Sequence, residues 1–398
     1  MEKNGNDRGG MDRREFFQYA GIAGAALALG TIMPGRTQAA EAQRKEDFGK
    51  AHVIEFNKDT GTPGFWDNSR APVLTIKSGE VVHIETGMHL LGKMKPGVTI
   101  EGWKEYYEQA IAKDPDVYTY PDEKTGAKKI QKGAGHHTLV GPINIEEAEP
   151  GDTLQVEILA IDPGDYGFNL NPITSFMNLG LLAEDYPEGK IRWYEVNREK
   201  MTMQFQPGIE VPVRPFPGTI GVDMAAPGKW SNVPPGLHGG NMDNKEMVAG
   251  TVIYLPVQLK GGMLRTGDSH LAQGDGEVNL NAIEGSFKAI TLRITVRKDL
   301  KKLVDWPMMS TPTHWITMGM HTNLLESSKM ATRKAIYFLR DYYGLDEVEA
   351  YALCSEVVDL RVTQLVDYTL GIHAMIPKSC FVGEKYASKN KLLIEPQA

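Results

Sequence analysis

The sequence predicts a mainly β protein with an α/β C-terminal part, and three observations carry that prediction. Short β-branched runs recur between Gly, Pro, Asn and Asp over residues 51–296. The alternation in Ala289-Ile290-Thr291-Leu292-Arg293-Ile294-Thr295-Val296 marks a half-buried strand. Helical periodicity becomes sustained only beyond Pro307.

Taken in order, the chain opens with an export signal. Asp12-Arg13-Arg14-Glu15-Phe16-Phe17-Gln18 precedes an apolar Ala/Gly-rich stretch over residues 19–33, the pattern of a twin-arginine leader. That stretch is shorter than the roughly 20 residues a spanning helix needs. Small residues at Ala39, Ala40 and Ala42 offer cleavage sites. The expectation is a signal peptide over residues 1–42, a transient encounter with the twin-arginine export machinery, no stable membrane anchor after cleavage, and a periplasmic or secreted mature protein.

Residues 43–300 read as a β-rich core. His52-Val53-Ile54, Val73-Leu74-Thr75-Ile76 and Val81-Val82-His83-Ile84-Glu85 are expected to be antiparallel strands. Residues 103–111 suit a short helix, and the Lys-rich stretch around residues 124–132 suits a surface excursion. Strands resume at residues 138–145, turn through Pro150-Gly151-Asp152 and continue over residues 154–161. Between residues 162 and 234 long Gly/Pro/Asn-rich loops separate brief strands at 190–196 and 202–205, and loops of that length often build sites. Residues 301–398 complete the fold as an α/β region, with helices expected over 320–343, stopped by Gly344, and 347–354.

Composition narrows the function. A chain of 398 residues, 41% of them hydrophobic, can bury a large core. A formal charge of −8 without a long basic run argues against a nucleic-acid partner. With two cysteines, Cys354 and Cys380, the chain holds no Cys-rich zinc module and at most one bridge. Cys354 sits in an apolar run without an adjacent base, which suits a buried structural residue better than a nucleophile. No Gly-x-Ser-x-Gly elbow is present, which disfavours a serine hydrolase.

The densest cluster of candidate ligands spans residues 238–284. Asp268 and His270 stand two apart, so on a strand they project to one face and can reach one ion. Mixed imidazole and carboxylate ligands lean towards zinc; carboxylates and carbonyls alone favour calcium. His136 and His137 would point to opposite faces of an extended segment, so at most one joins a site, and neither is assigned. His314 is read either at a pocket mouth or as a partly buried, hydrogen-bonded residue, and His373 as part of a packing strand.

Several longer stretches occur in a telling order: Gly141-Pro142-Ile143, Ala148-Glu149-Pro150-Gly151-Asp152, Pro235-Gly236-Leu237-His238-Gly239-Gly240-Asn241-Met242-Asp243 and Tyr254-Leu255-Pro256-Val257. Then come Gly267-Asp268-Ser269-His270, Ala272-Gln273-Gly274-Asp275-Gly276-Glu277-Val278, Ala282-Ile283-Glu284, and Leu353-Cys354-Ser355 before Asp359-Leu360-Arg361. In these the chain resembles the acetamidase/formamidase family. The resemblance implies a composite of β-sandwich and β-barrel-like domains in a homodimer. It also implies hydrolysis of the C–N bond of a small linear amide to ammonia and a carboxylate, with a bound divalent metal. Carried over by position, it makes Asp243, Asp268, His270 and Glu284 the metal ligands or their neighbours, and places His238, Asn241, Asp275 and Glu277 around the pocket. Glu284 or Glu277 would take the proton from water, and Asn241 or the Gly239-Gly240 backbone would face the oxyanion. Ser269, Leu271 and Asn281 depart from the family pattern, so a different pocket size or polarity is expected. The rival readings are a non-catalytic metal-binding relative and a hydrolase for a urea-like compound.

Overall fold

In the computed structural model, residues 50–113, 117–121, 128–132 and 137–392 are described; residues 1–42, where the sequence leads one to expect a signal peptide, and His136 lie outside them. Two large open sheets dominate, and neither closes into a barrel. The nine-stranded sheet runs Ala51–Ile54, Val81–Ile84, Phe287–Arg297, Thr153–Pro163, Val252–Pro256, Met308–Ser310, His314–His321, Leu370–Pro377 and Asp359–Gln364. Its last four strands come from beyond residue 300, so the C-terminal region continues the sheet begun by the β-rich core.

The second sheet has eleven strands. Its path runs from Ile209–Pro212 through Thr202–Gln206, Lys190–Asn197, Tyr166–Asn171, Ile283–Gly285, Leu264–Ala272 and Phe216–Val222 to Gly239–Asn241. Thr138–Ile145 joins it at Leu264–Ala272 and carries Gly61–Pro63 and Leu74–Ile76. One hydrophobic core takes side chains from both sheets, among them Ile84, Val156 and Leu292 from the first and Val140, Phe216 and Leu264 from the second. Burying those faces supplies the main driving force for joining the two sheets.

Three expectations change. Ala51–Ile54 pairs with Val81–Ile84, and Leu74–Ile76 with Thr138–Ile145, in parallel rather than antiparallel. The Pro150-Gly151-Asp152 turn passes the chain from one sheet to the other, because Thr138–Ile145 and Thr153–Pro163 belong to different sheets. The helix expected from residue 320 starts at Leu324, since His314–His321 is held as a strand between Met308–Ser310 and Leu370–Pro377. Asn323 caps it, accepting from the Leu325 and Glu326 amides. Its face of Ser327, Ala331, Ala335 and Phe338 packs on the sheet so closely that a Cβ at Gly319 would collide with the Ser327 backbone.

Near the site, the Ile100–Lys113 helix begins where Thr99 accepts from the Gly102 amide. Its Trp103 joins Met88, Leu90, Met94, Phe168 and Leu170 in a separate apolar cluster beneath the short turn at His89–Gly92. The stretch expected to be a surface excursion forms its own two-stranded ribbon, Val117–Pro121 with Lys128–Lys132. Cys354 is buried and Cys380 exposed, and the two are not bridged.

Candidate metal centre

The Leu264–Ala272 strand is the floor of the site. Asp268 and His270 project to one face with His270 Nε2 3.4 Å from Asp268 Oδ2, while Ser269 between them turns away to hydrogen-bond Thr86. The neighbouring Ile283–Gly285 strand sets Glu284 opposite His270, Oε2 to Nε2 3.3 Å. Asp243 follows the Gly239–Asn241 strand and brings its Oδ1 to 3.8 Å from His270 Nε2. Gly218 lies across from Asp268 in the next strand, and a Cβ there would fall between Asp268, His270 and Asp243. The absence of a side chain leaves a cradle among three ligand-type groups.

Residues distant in sequence complete the cluster. His89 Nε2 lies 2.8 Å from Asp268 Oδ1 and 3.1 Å from Glu284 Oε2, and His137 Nδ1 lies 3.7 Å from Asp268 Oδ2. Glu277 and Asp367 approach from the far side, forming one group with Asp243, while Glu277 also groups with His270 and Glu284. All eight side chains belong to buried residues. Asp243, Asp268 and Glu277 take left-handed backbone angles, φ 47°, 51° and 48°, a conformation that L residues adopt at a cost and that concentrates at functional sites.

Five carboxylates so close, away from water, compete for positive charge. Burial pulls the His89 imidazole down, but Glu284 and Asp268 outweigh it and raise His89 to about 9. His270 is likewise raised well above its ordinary value, burial being overcome by the same two carboxylates. Glu284 in turn falls to about 2 against the effect of burial, because His270 and His89 face it. Asp243, with burial and the charges of Glu277 and Asp367 against it, is pushed up, and burial lifts Asp367 to about 7. Neither oxygen of Asp243 has a hydrogen-bond partner. The donor set fits a divalent cation: the two unpartnered Asp243 oxygens, the imidazoles turned towards the carboxylates and the cradle at Gly218 offer ligand atoms of the right kinds.

Supporting residues fix the orientation. Gln273 Oε1 is 2.9 Å from His270 Nδ1 while its Nε2 donates to the Asp243 carbonyl at 2.8 Å. That arrangement puts a proton on Nδ1 and turns Nε2 to the cluster, where it would give up its own proton to an ion. Thr219 Oγ1 donates to Asn241 Oδ1 at 2.7 Å and stands 3.3 Å from Asp268 Oδ2. Asn241 therefore reaches the cluster through Thr219. His238 packs edge-on against Trp66, its Nε2 unpartnered, and burial lowers it to about 4. Asp275 is drawn away by Arg361 and Lys245.

Of the residues singled out in the sequence, Asp243, Asp268, His270, Glu277 and Glu284 come together; His238, Asn241 and Asp275 stand outside the group. His89, Asp367 and Gly218 went unnoticed, and His137, which the sequence left unassigned, belongs in it. His314 bonds Thr313, and His373 bonds Thr363. Two of the three departures from the family pattern face away from the cluster: Ser269 towards Thr86, and Leu271 against Gly167 and Gly285. Asn281 faces it, its Nδ2 3.4 Å from Glu284 Oε1.

Comparisons agree with this architecture. The model of the acetamidase/formamidase family matches residues 122–229 and 222–382, well over half of the chain. A formamidase of Methylophilus methylotrophus is 27% identical over 234 residues, 45% of this chain and 57% of that protein. An acetamidase of Mycolicibacterium smegmatis is 30% identical over 212 residues, covering 38% and 52%. The chain thus spans about half the length of the curated relatives it matches. The crystal structure of an acetamidase from Bacillus halodurans superposes with a TM-score of 0.67 at 25% identity, over 82% of this chain and 98% of that one. One from Yersinia enterocolitica shares the fold, with a TM-score of 0.68 at 24% identity over 84% and 93%. By fold, by the matched segments and by the order of its motifs, the chain belongs to the acetamidase/formamidase family.

Proposed function

We propose that this protein hydrolyses the C–N bond of a small linear amide to ammonia and a carboxylate at the buried cluster around Asp268. The observation that carries the reading is the convergence of His89, His137, Asp243, Asp268, His270 and Glu284 around the cradle at Gly218. Two groups that mix imidazole and carboxylate suit zinc, Asp243, Asp268 and His270 at the Gly218 cradle and His89, His137 and Asp268 beside it; the all-oxygen group of Asp243, Glu277 and Asp367 suits calcium. When bound, a divalent ion lowers the pKa of a coordinated water towards about 7 and polarises the amide carbonyl.

The chain's own groups do the rest. His270, aligned by Gln273, and Glu284, fixed by the Ala282 amide and Asn281, hold the reacting groups in place. Glu277 stands between His270 and Glu284 on one side and Asp243 and Asp367 on the other, so, left free by the ion, its carboxylate would accept the proton of the attacking water and return it to the departing nitrogen. Burial of the whole cluster excludes bulk water and strengthens each of these interactions.

The twin-arginine motif supports export and a periplasmic or secreted location, with the ion loaded before translocation of a folded chain. A homodimer is part of the same proposal. The test is ammonia release by the purified mature protein from formamide, acetamide, propionamide and urea, with and without chelator, beside His270→Ala. Chelator-sensitive release from the amides, lost in a folded His270→Ala variant, is the expected result; urea as the preferred substrate, or no release from metal-replete protein, would overturn the reading.

A further inference from the structure

The three carboxylates on the far side of the cluster, Asp243, Glu277 and Asp367, come from three separate segments, and each lies in a loop between strands. Asp243 and Glu277 hold left-handed backbone angles, as does Tyr368 beside Asp367, with φ of 63°. Such angles persist only where the surroundings over-determine them. Whatever fixes these loops therefore decides how the three carboxylates meet.

Backbone pairing supplies part of the restraint. The Gly276 N–H donates to the Thr363 carbonyl at 3.2 Å and the Leu365 N–H to the Gly276 carbonyl at 3.1 Å, which docks the Glu277 loop on the end of the Asp359–Gln364 strand. Gln364 Oε1 then accepts from the Val366 and Asp367 amides at 2.8 and 3.2 Å, setting the turn that carries Asp367. On the third segment, Asn244 Oδ1 accepts from the Glu246 amide at 3.0 Å, so residues 243–246 turn back as one unit.

Arg361 joins all three segments. It stands on the strand that leads to Asp367, and its Nε and Nη2 meet Asp275 Oδ2 at 2.8 and 2.7 Å, two residues before Glu277. Its Nη1 meets Glu246 Oε1 at 3.0 Å, three residues after Asp243. Lys245 closes the ring at 3.1 Å from Asp275 Oδ1, and Arg214 holds the other Glu246 oxygen at 2.7 Å. A planar guanidinium serves two carboxylates at once in fixed directions, which a lysine ammonium does not. The Arg361 side chain is 29% exposed, and ion pairs open to solvent contribute little to global stability, so what this one supplies is geometry.

We propose that Arg361 is a positioning residue for the buried cluster: through Asp275 and Glu246 it fixes Glu277 and Asp367 relative to Asp243, and with them the proton acceptor relative to the proposed ion. The inference rests on the amidase reading and deepens it. It also gives Asp275 a role, at the strap rather than in the pocket.

Arg361→Gln and Arg361→Lys in the mature protein test it. Zinc alone is titrated into metal-stripped protein by chelator competition, and kcat and KM for ammonia release from formamide and acetamide are measured in parallel. Urea unfolding of the metal-free proteins shows that each variant folds. Arg361→Gln is expected to lower zinc affinity and kcat about 10- to 100-fold each, as loss of a partner behind a metal ligand does, with KM little changed. Arg361→Lys, which keeps the charge and loses the fork, is expected to restore part of both. Asp275→Asn added to Arg361→Gln is expected to cost little more, because the two changes remove one link. Unchanged zinc affinity and kcat in folded Arg361→Gln protein, or full additivity with Asp275→Asn, would overturn the positioning role and leave the amidase reading standing. Zinc binding that Arg361→Gln weakens, in a protein that hydrolyses neither amide, would overturn the amidase reading and leave the positioning role. A wild-type protein that binds no zinc would overturn both.

Discussion

Replacing Gly218 with alanine tests where the proposed ion would sit. The Pro217–Ser269 and Thr219–Gly267 pairings place Gly218 directly across from Asp268. An added Cβ would lie 2.5 Å from Asp268 Oδ2, 2.6 Å from His270 Cε1 and 2.7 Å from Asp243 Oδ1. Non-bonded contacts settle near 3.5–4.0 Å, so these three groups would have to retreat by roughly 1 Å. Metal sites tolerate ligand displacements of only about 0.2 Å. Overpacking strain of this kind costs about 1–3 kcal/mol, which corresponds to a roughly 5- to 150-fold loss of ion affinity. Zinc affinity measured by competition with a chelator is expected to fall in that range, with ammonia release falling at limiting zinc. Thermal unfolding of the metal-free variant checks that it folds. Unchanged zinc affinity in a folded Gly218→Ala protein would refute the placement of the ion among Asp243, Asp268 and His270.

Three further outcomes follow from other parts of the structure. Gln273→Ala frees His270 Nδ1 and is expected to weaken metal affinity or activity about 10- to 100-fold, with Gln273→Glu restoring part of the loss; chelator competition and ammonia release measure both. Arg265→Met strands Asp223, since Arg265 is fully buried and its Nε and Nη2 meet the Asp223 carboxylate at 2.6 and 2.9 Å; a loss of about 3–5 kcal/mol in urea unfolding is expected. Burial lowers His373 to about 4 in the folded chain, against about 6.5 unfolded. Between those values the unfolded chain binds the extra proton, so stability falls as pH drops through 6.5, by up to about 1.4 kcal/mol per unit. His373→Gln is expected to flatten unfolding free energy measured across pH 4–6.5 by up to that slope.

Much of the site was legible because it obeys local rules. Asp268 and His270 share a face because a strand repeats every two residues, and Ser269 points the other way for the same reason. Asp243, Glu277 and Glu284 lie in motifs that the family resemblance picked out. His89 and Asp367 had no such signal: one lies on a short turn where Leu90 and Leu91 take φ of 54° and 56°, the other follows the Asp359–Gln364 strand, and only tertiary packing brings the first to Asp268 and the second to Asp243 and Glu277. His137 was visible but undecided, because the alternation that separates it from His136 does not say which face looks inwards. The parallel pairing of Ala51–Ile54 and the strand fate of Met320 escaped for a related reason: partners far along the chain set both, and they override local periodicity.

The most direct test of the proposed chemistry is a titration of metal-stripped mature protein with zinc, reading ammonia release from an amide against ions added per chain. Activity that is absent without metal, rises with zinc to a stoichiometric plateau and disappears again with chelator is the expected result. Full turnover by protein shown to be metal-free would contradict the assignment of the buried cluster around Asp268 as a metal-dependent amidase site.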